Sequence, residues 1–219
     1  MKKQLLSVLA VVTLLVTAFA APVAQAAKPP TSPLDHGPII NRYSGDSASA
    51  YSYSTEDGCV YSDVNVMAST QTVKSSSGGN STGQYATIYI NRYDNCNGIW
   101  LDSLSGYAPI DGNSYQFDKQ LNSAHLQASI PMYDWNGNLA STMQVDLTWA
   151  GSGDVMKGKS RSQYQSPGCK MSYSYSGSTR NATVSGTITD GATDYMNGAS
   201  TYAMLQSLKS GDMTIGCGW

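Results

Sequence analysis

Four residue types in this chain could do chemistry, and each suggests a different kind. There are two histidines, His36 and His125. A hydrolytic Ser–His–Asp site built on His125 would need unrelated strands to converge, and no Gly-x-Ser-x-Gly elbow is present. Aspartates are more plentiful. Asp63, Asp102, Asp146 and Asp154 could supply the two carboxyls of a glycosidase, which must flank a cleft roughly 5–10 Å apart with one pKa raised. Most other aspartates sit beside Asn and Gly, where they cap backbone at turns. Calcium could use Asp134-Trp135-Asn136-Gly137-Asn138 or the region of Asp190-Gly191 and Asp194, but neither has a full ligand spacing. The tyrosines are the most distinctive group. Tyr85, Tyr89 and Tyr93 recur at every fourth position, so a strand would place them on one face about 13 Å apart. A tyrosine offers an apolar ring and a polar tip, which suits sugar or protein surfaces. The same face could instead pack under another layer.

The four cysteines are Cys59, Cys96, Cys169 and Cys217. In an exported chain they imply two disulfides, and three connectivities are open. The sequential pairing Cys59–Cys96 and Cys169–Cys217 is favoured because each bridge would brace one half of the chain. A zinc site is the rival, but no Cys-x-x-Cys occurs and export favours oxidation.

Export is suggested by the first 26 residues. Lys2 and Lys3 precede an apolar run from Leu5 to Ala21, and Ala24-Gln25-Ala26 has the small residues of a cleavage site. Residues 1–26 are expected to be a signal peptide, and the mature chain a secreted, extracellular protein. Removing Lys2 and Lys3 leaves 11 basic against 15 acidic residues, a net of −4. A chain of that charge fits nucleic acid and anionic membranes poorly. No second apolar run of spanning length follows, so no membrane contact is expected after cleavage.

The elements that must position these groups are strands. From Ala124 to Met132 the even positions are apolar, and from Leu139 to Trp149 the odd positions are mainly so. Asn136-Gly137 lies between them as a hairpin signal. If paired residues have numbers summing to 273, Ile130 meets Met143, Ala128 meets Val145, Leu126 meets Leu147 and Ala124 meets Trp149. Pro131 favours a four-residue loop, Trp135 to Asn138. A second hairpin is predicted with Tyr175 facing Ala182, Tyr173 facing Val184 and Met171 facing Gly186. Strands are also predicted over Cys59–Ala68, Tyr85–Tyr93 and Ile99–Leu104. Lys74–Gly83 should be a mobile loop, and Ala150–Asp154 a turn. Lys157, Lys159 and Arg161 suggest a solvated edge strand. Tyr202–Leu208 fits a helix or a strand, with Ser210-Gly211 pointing to a final hairpin.

The expected organisation is a signal peptide (1–26), a flexible lead-in (27–54) and a single β domain (55–219). The expected fold is all-β: an antiparallel β-sandwich or β-barrel of about nine to ten strands, braced by disulfides. The segments Leu147–Gly153, Pro167–Lys170, Arg180–Ala182 and Ser185–Thr187 resemble a pattern recurring in secreted bacterial proteins that have no assigned function. The resemblance implies export and no mechanism.

The reading with most support is a non-catalytic secreted module, binding or structural, with no cofactor and no metal. Its partner would be a polysaccharide or an extracellular protein, met through Tyr85, Tyr89 and Tyr93. The rival is a secreted hydrolase that uses an aspartate pair.

Overall fold

The computed structural model describes residues 39–56, 58–166 and 169–217. The expected signal peptide, His36 and the first part of the expected lead-in lie outside them. Among the described residues nine strands follow in chain order: β1 (Ile39–Glu56), β2 (Val60–Ser75), β3 (Asn80–Asp94), β4 (Ile99–Ile110), β5 (Tyr115–Phe117), β6 (Ser123–Tyr133), β7 (Leu139–Ser166), β8 (Cys169–Thr189) and β9 (Ser200–Cys217). They form one antiparallel sheet in the order β4-β3-β2-β1-β9-β8-β7-β6-β5. β4 also meets β6, but only through Ser105↔Tyr133 and Gly106↔Met132. The two sides of the sheet touch there without a full ladder, so closure into a barrel is incomplete.

Alternation supplies the core. Ala48 and Ala50 of β1, Val64, Val66 and Ala68 of β2, and Ala86, Ile88 and Ile90 of β3 share one buried face. Leu126, Ile130, Met143, Val145, Leu147 and Trp149 join them from β6 and β7. The Trp149 indole N–H donates to the Ser49 carbonyl at 2.9 Å. β9 and β8 lie between β1 and β7 in the sheet order. The sheet therefore curls until its apolar face meets itself.

The central hairpin has the predicted register, with Ala124↔Trp149, Leu126↔Leu147, Ala128↔Val145 and Ile130↔Met143. Its loop is one residue longer than expected. Met132 pairs with Ser141 and Tyr133 with Leu139, which leaves Ala140 as a bulge. The Asp134 carboxylate accepts from the N–H of Asn136 and Asn138, and this capped turn spans Asp134 to Asn138.

Four expectations fail for a shared reason. The flexible lead-in does not extend to residue 54, because Ile39–Glu56 is a strand lying between β2 and β9. The second hairpin does not exist: β8 runs unbroken from Cys169 to Thr189. Ala150–Asp154 lies within β7, whose bulge falls between Ser152 and Met156, and Ser210-Gly211 lies inside β9. Each Gly-Ser stretch taken for a turn marks a register shift or a close approach instead. A Cβ on Gly177 would lie 2.7 Å from the Ser207 carbonyl, and one on Gly45 would strike the Thr70 carbonyl. The Lys74–Gly83 loop is also shorter than expected, since β2 and β3 pair as far as Lys74↔Asn80.

Cys59 and Cys96 are bridged, with Cα atoms 5.3 Å apart. Cys169 is disulfide-bonded as well, and its register partner on β9 is Cys217. Disulfide bonding fits an oxidising compartment.

Candidate binding face

β3 presents Tyr85, Tyr89 and Tyr93 on the face opposite the core, because Ala86, Ile88 and Ile90 alternate with them into the interior. Tyr89 is 49% exposed, while Tyr85 and Tyr93 are half-buried. No second layer covers the stripe among the described residues.

The register extends this face over five strands. Tyr89 lies in a row with Asn65 and Tyr51, and Tyr51 is opposite Tyr202. Tyr93 lies beside Tyr61 on one side and Trp100 on the other. The Tyr93 and Trp100 ring centres are 5.0 Å apart and tilted. Tyr85 stacks on Tyr107 at 5.4 Å, and Tyr53 stacks on both Tyr61 and Tyr202. The Tyr51 and Tyr61 hydroxyls share a hydrogen bond of 2.9 Å. Burial, then the Tyr61 contact, pushes the Tyr51 phenol up. Burial, then Tyr85, does the same to Tyr107. Both stay protonated at neutral pH and can donate.

A polar row lies within this aromatic frame. Tyr53, Asp63, Asn91 and Ser103 are successive register partners. The Ser103 hydroxyl donates to the Asn91 carbonyl oxygen at 2.8 Å, and the Asn91 amide donates to Asp63 at 3.2 Å. The row orients an amide and a carboxylate among exposed rings. At the end of the sheet, Tyr53, the buried Ser62, Asp194, Asn197 and Ser200 line a shallow pocket of about 360 Å³. Sequence patterning found only the β3 part. Tyr51 and Tyr53 lay in the supposed lead-in, Tyr202 in an ambiguous segment, and cross-strand neighbours depend on register that periodicity alone does not fix.

The structure does not bring the other candidates together. Asp63 and Asp102 lie on opposite faces, since Asp63 pairs in register with Asn91 and Asp102 with Arg92. The Arg92 guanidinium donates to Asp102 at 3.1 Å. Asp146 and Asp154 are eight positions apart on β7, about 26 Å by strand rise. His125 Nε2 lies 3.1 Å from Asp146 on an exposed face. No serine hydroxyl bonds that ring among the described residues. In the two suggested calcium loops, Asp134 and Asp190 are engaged by backbone N–H groups.

No known protein family matches the chain, and no curated protein matches it. A crystal structure of a protein provisionally named AttH, from Nitrosomonas europaea, shows a distant likeness, with 13% identity and a TM-score of 0.28. The likeness covers 90% of this chain, which spans 57% of that protein's length.

Proposed function

We propose that the chain is a secreted, non-catalytic β module that binds an extracellular polysaccharide through its aromatic face. The observation that carries this reading is the frame of Tyr51, Tyr53, Tyr61, Tyr89, Trp100 and Tyr202 around the Asp63–Asn91–Ser103 row. Sugar rings have apolar faces and a rim of hydroxyls. Exposed aromatic rings suit the faces, and fixed amide and carboxylate groups suit the rim. Export is supported by the disulfides and by the signal-like first 26 residues.

The test is retention of the oxidised chain, Ala27 to Trp219, on insoluble cellulose, chitin and bacterial cell wall. Wild type is expected to bind at least one polymer. Tyr85→Ala/Tyr89→Ala and Tyr202→Ala are expected to bind about tenfold more weakly, a loss of roughly 1.4 kcal/mol. Binding by wild type that survives both substitutions would move the site elsewhere. No retention on any polymer would end the polysaccharide reading.

A further inference from the structure

Among the described residues, β7 beyond its bulge is paired on one side only. Met156 to Ser166 pair with Thr179 to Cys169 of β8. β6 leaves β7 at Ser123↔Ala150, and the Arg180 side chain takes the carbonyls of Gly153 and Leu121 just beyond. Among the described residues no strand pairs with the other edge of Met156–Ser166. That edge is about 35 Å of unpaired N–H and C=O groups. Side chains from Gly153 to Gln165 are exposed on both faces.

The charges on this edge are of one sign. Lys157, Lys159 and Arg161 share a face, opposite Ser178, Ser176 and Ser174 of β8. Among the described residues no carboxylate forms an ion pair with them. Val155 to Gln165 contains no acid, although acids outnumber bases in the chain. On the other face Met156 is 50% and Tyr164 64% exposed.

A second copy is a poor occupant. Antiparallel self-pairing centred on Lys159 would set Lys159 against itself and Lys157 against Arg161, and like charges directly opposite are repulsive. The chain's own Ala27–Pro38 is also poorly suited, because Pro29, Pro30, Pro33 and Pro38 lack the N–H that a ladder needs. A polyanionic polymer would meet the charges and leave the backbone edge unused.

We propose that the free edge of β7, Met156–Ser166, accepts an extended segment of a partner protein as an added antiparallel strand, with acidic side chains at alternate positions beside Lys157, Lys159 and Arg161. Main-chain pairing holds the segment, and the cations select it. The site is separate from the aromatic face.

The experiment uses the full oxidised chain and a peptide of about eleven residues with glutamate at every second position and threonine or valine between. Binding is expected at low salt, weakening as salt rises. Amide hydrogen exchange within Met156–Ser166 is expected to slow. The same peptide N-methylated at alternate amides keeps its charge and loses its ladder, so it should bind at least about tenfold more weakly. A Lys157→Glu/Lys159→Glu variant should lose the peptide. A lysine-alternating peptide should fail on wild type, which keeps the charge test valid if the variant does not fold. Absence of binding would overturn the proposal. Equal binding of the N-methylated peptide would also overturn it, in favour of charge-only capture of a polyanion.

Discussion

Asp94, Asp111, Asp118, Asp134 and Asp190 each accept from the backbone N–H two positions on. Such bonds favour the ionised form. The Asn97 and Ser114 side chains lead in holding Asp94 and Asp111 below the usual carboxylate range. The N–H groups of Gln120, Asn138 and Thr193 lead for Asp118, Asp134 and Asp190. A folded pKa below the unfolded one contributes stability above the unfolded value, and that stability is lost as pH falls through the folded value. The melting temperature should therefore change little from pH 7 to about 5 and fall below about 4. Asp111→Ala should lower it at pH 7 and shrink the acid-side fall. A thermal melt series across that range checks both, and a melting temperature unchanged down to about pH 2 would refute the account. The turn role of Asp94, Asp111 and Asp134 was legible from their Asn and Gly neighbours, whereas Asp118 has neither beside it. The tyrosine face was only partly legible, because Tyr85, Tyr89 and Tyr93 share one strand whereas Tyr53, Tyr61 and Tyr202 meet only through register.

At the scale of elements, the central hairpin was legible because Ala124, Leu126, Ala128 and Ile130 each had one apolar partner that matched it. The long strands were not. Ser and Gly in β1, β7, β8 and β9 carry the signs of turns, yet they let bent strands lie close together. Gly177 is the clearest instance. It sits where β8 shifts register against β9, and a Cβ there would lie 2.7 Å from the Ser207 carbonyl and 2.6 Å from the Tyr175 hydroxyl. The backbone carbonyl cannot move without opening the ladder. Gly177→Val should cost about 1–3 kcal/mol, measured as a lower urea midpoint with unchanged slope. If Gly177 instead tolerated valine without loss, the close approach would not govern the strand's continuity.

At the scale of the molecule, one sheet must supply its own second layer. The sequence alternation establishes which face is apolar, but a sandwich, a barrel and a curled sheet all satisfy the same pattern. What distinguishes them is contact between strands distant in the sheet order, and Trp149 makes such a contact. Its ring is fully buried and its indole N–H reaches the Ser49 carbonyl on β1. The meeting of β4 and β6 over two residue pairs adds little ladder to hold the curl, so side-chain packing across the interior carries most of it. Trp149→Phe removes the donor and leaves unfilled volume where the sheet meets itself. The expected loss is about 2–4 kcal/mol, combining a broken buried hydrogen bond with a partly collapsed cavity. Trp149→Leu should cost more. Tyr89→Ala, on the exposed face, should cost less than about 1 kcal/mol. Denaturant titration of the three variants orders them, and because Tyr89 belongs to the binding face, the same set separates loss of polymer retention from loss of fold. Equal destabilisation by Tyr89→Ala and Trp149→Phe would mean that the outer face, and not the interior, holds the sheet in its curl.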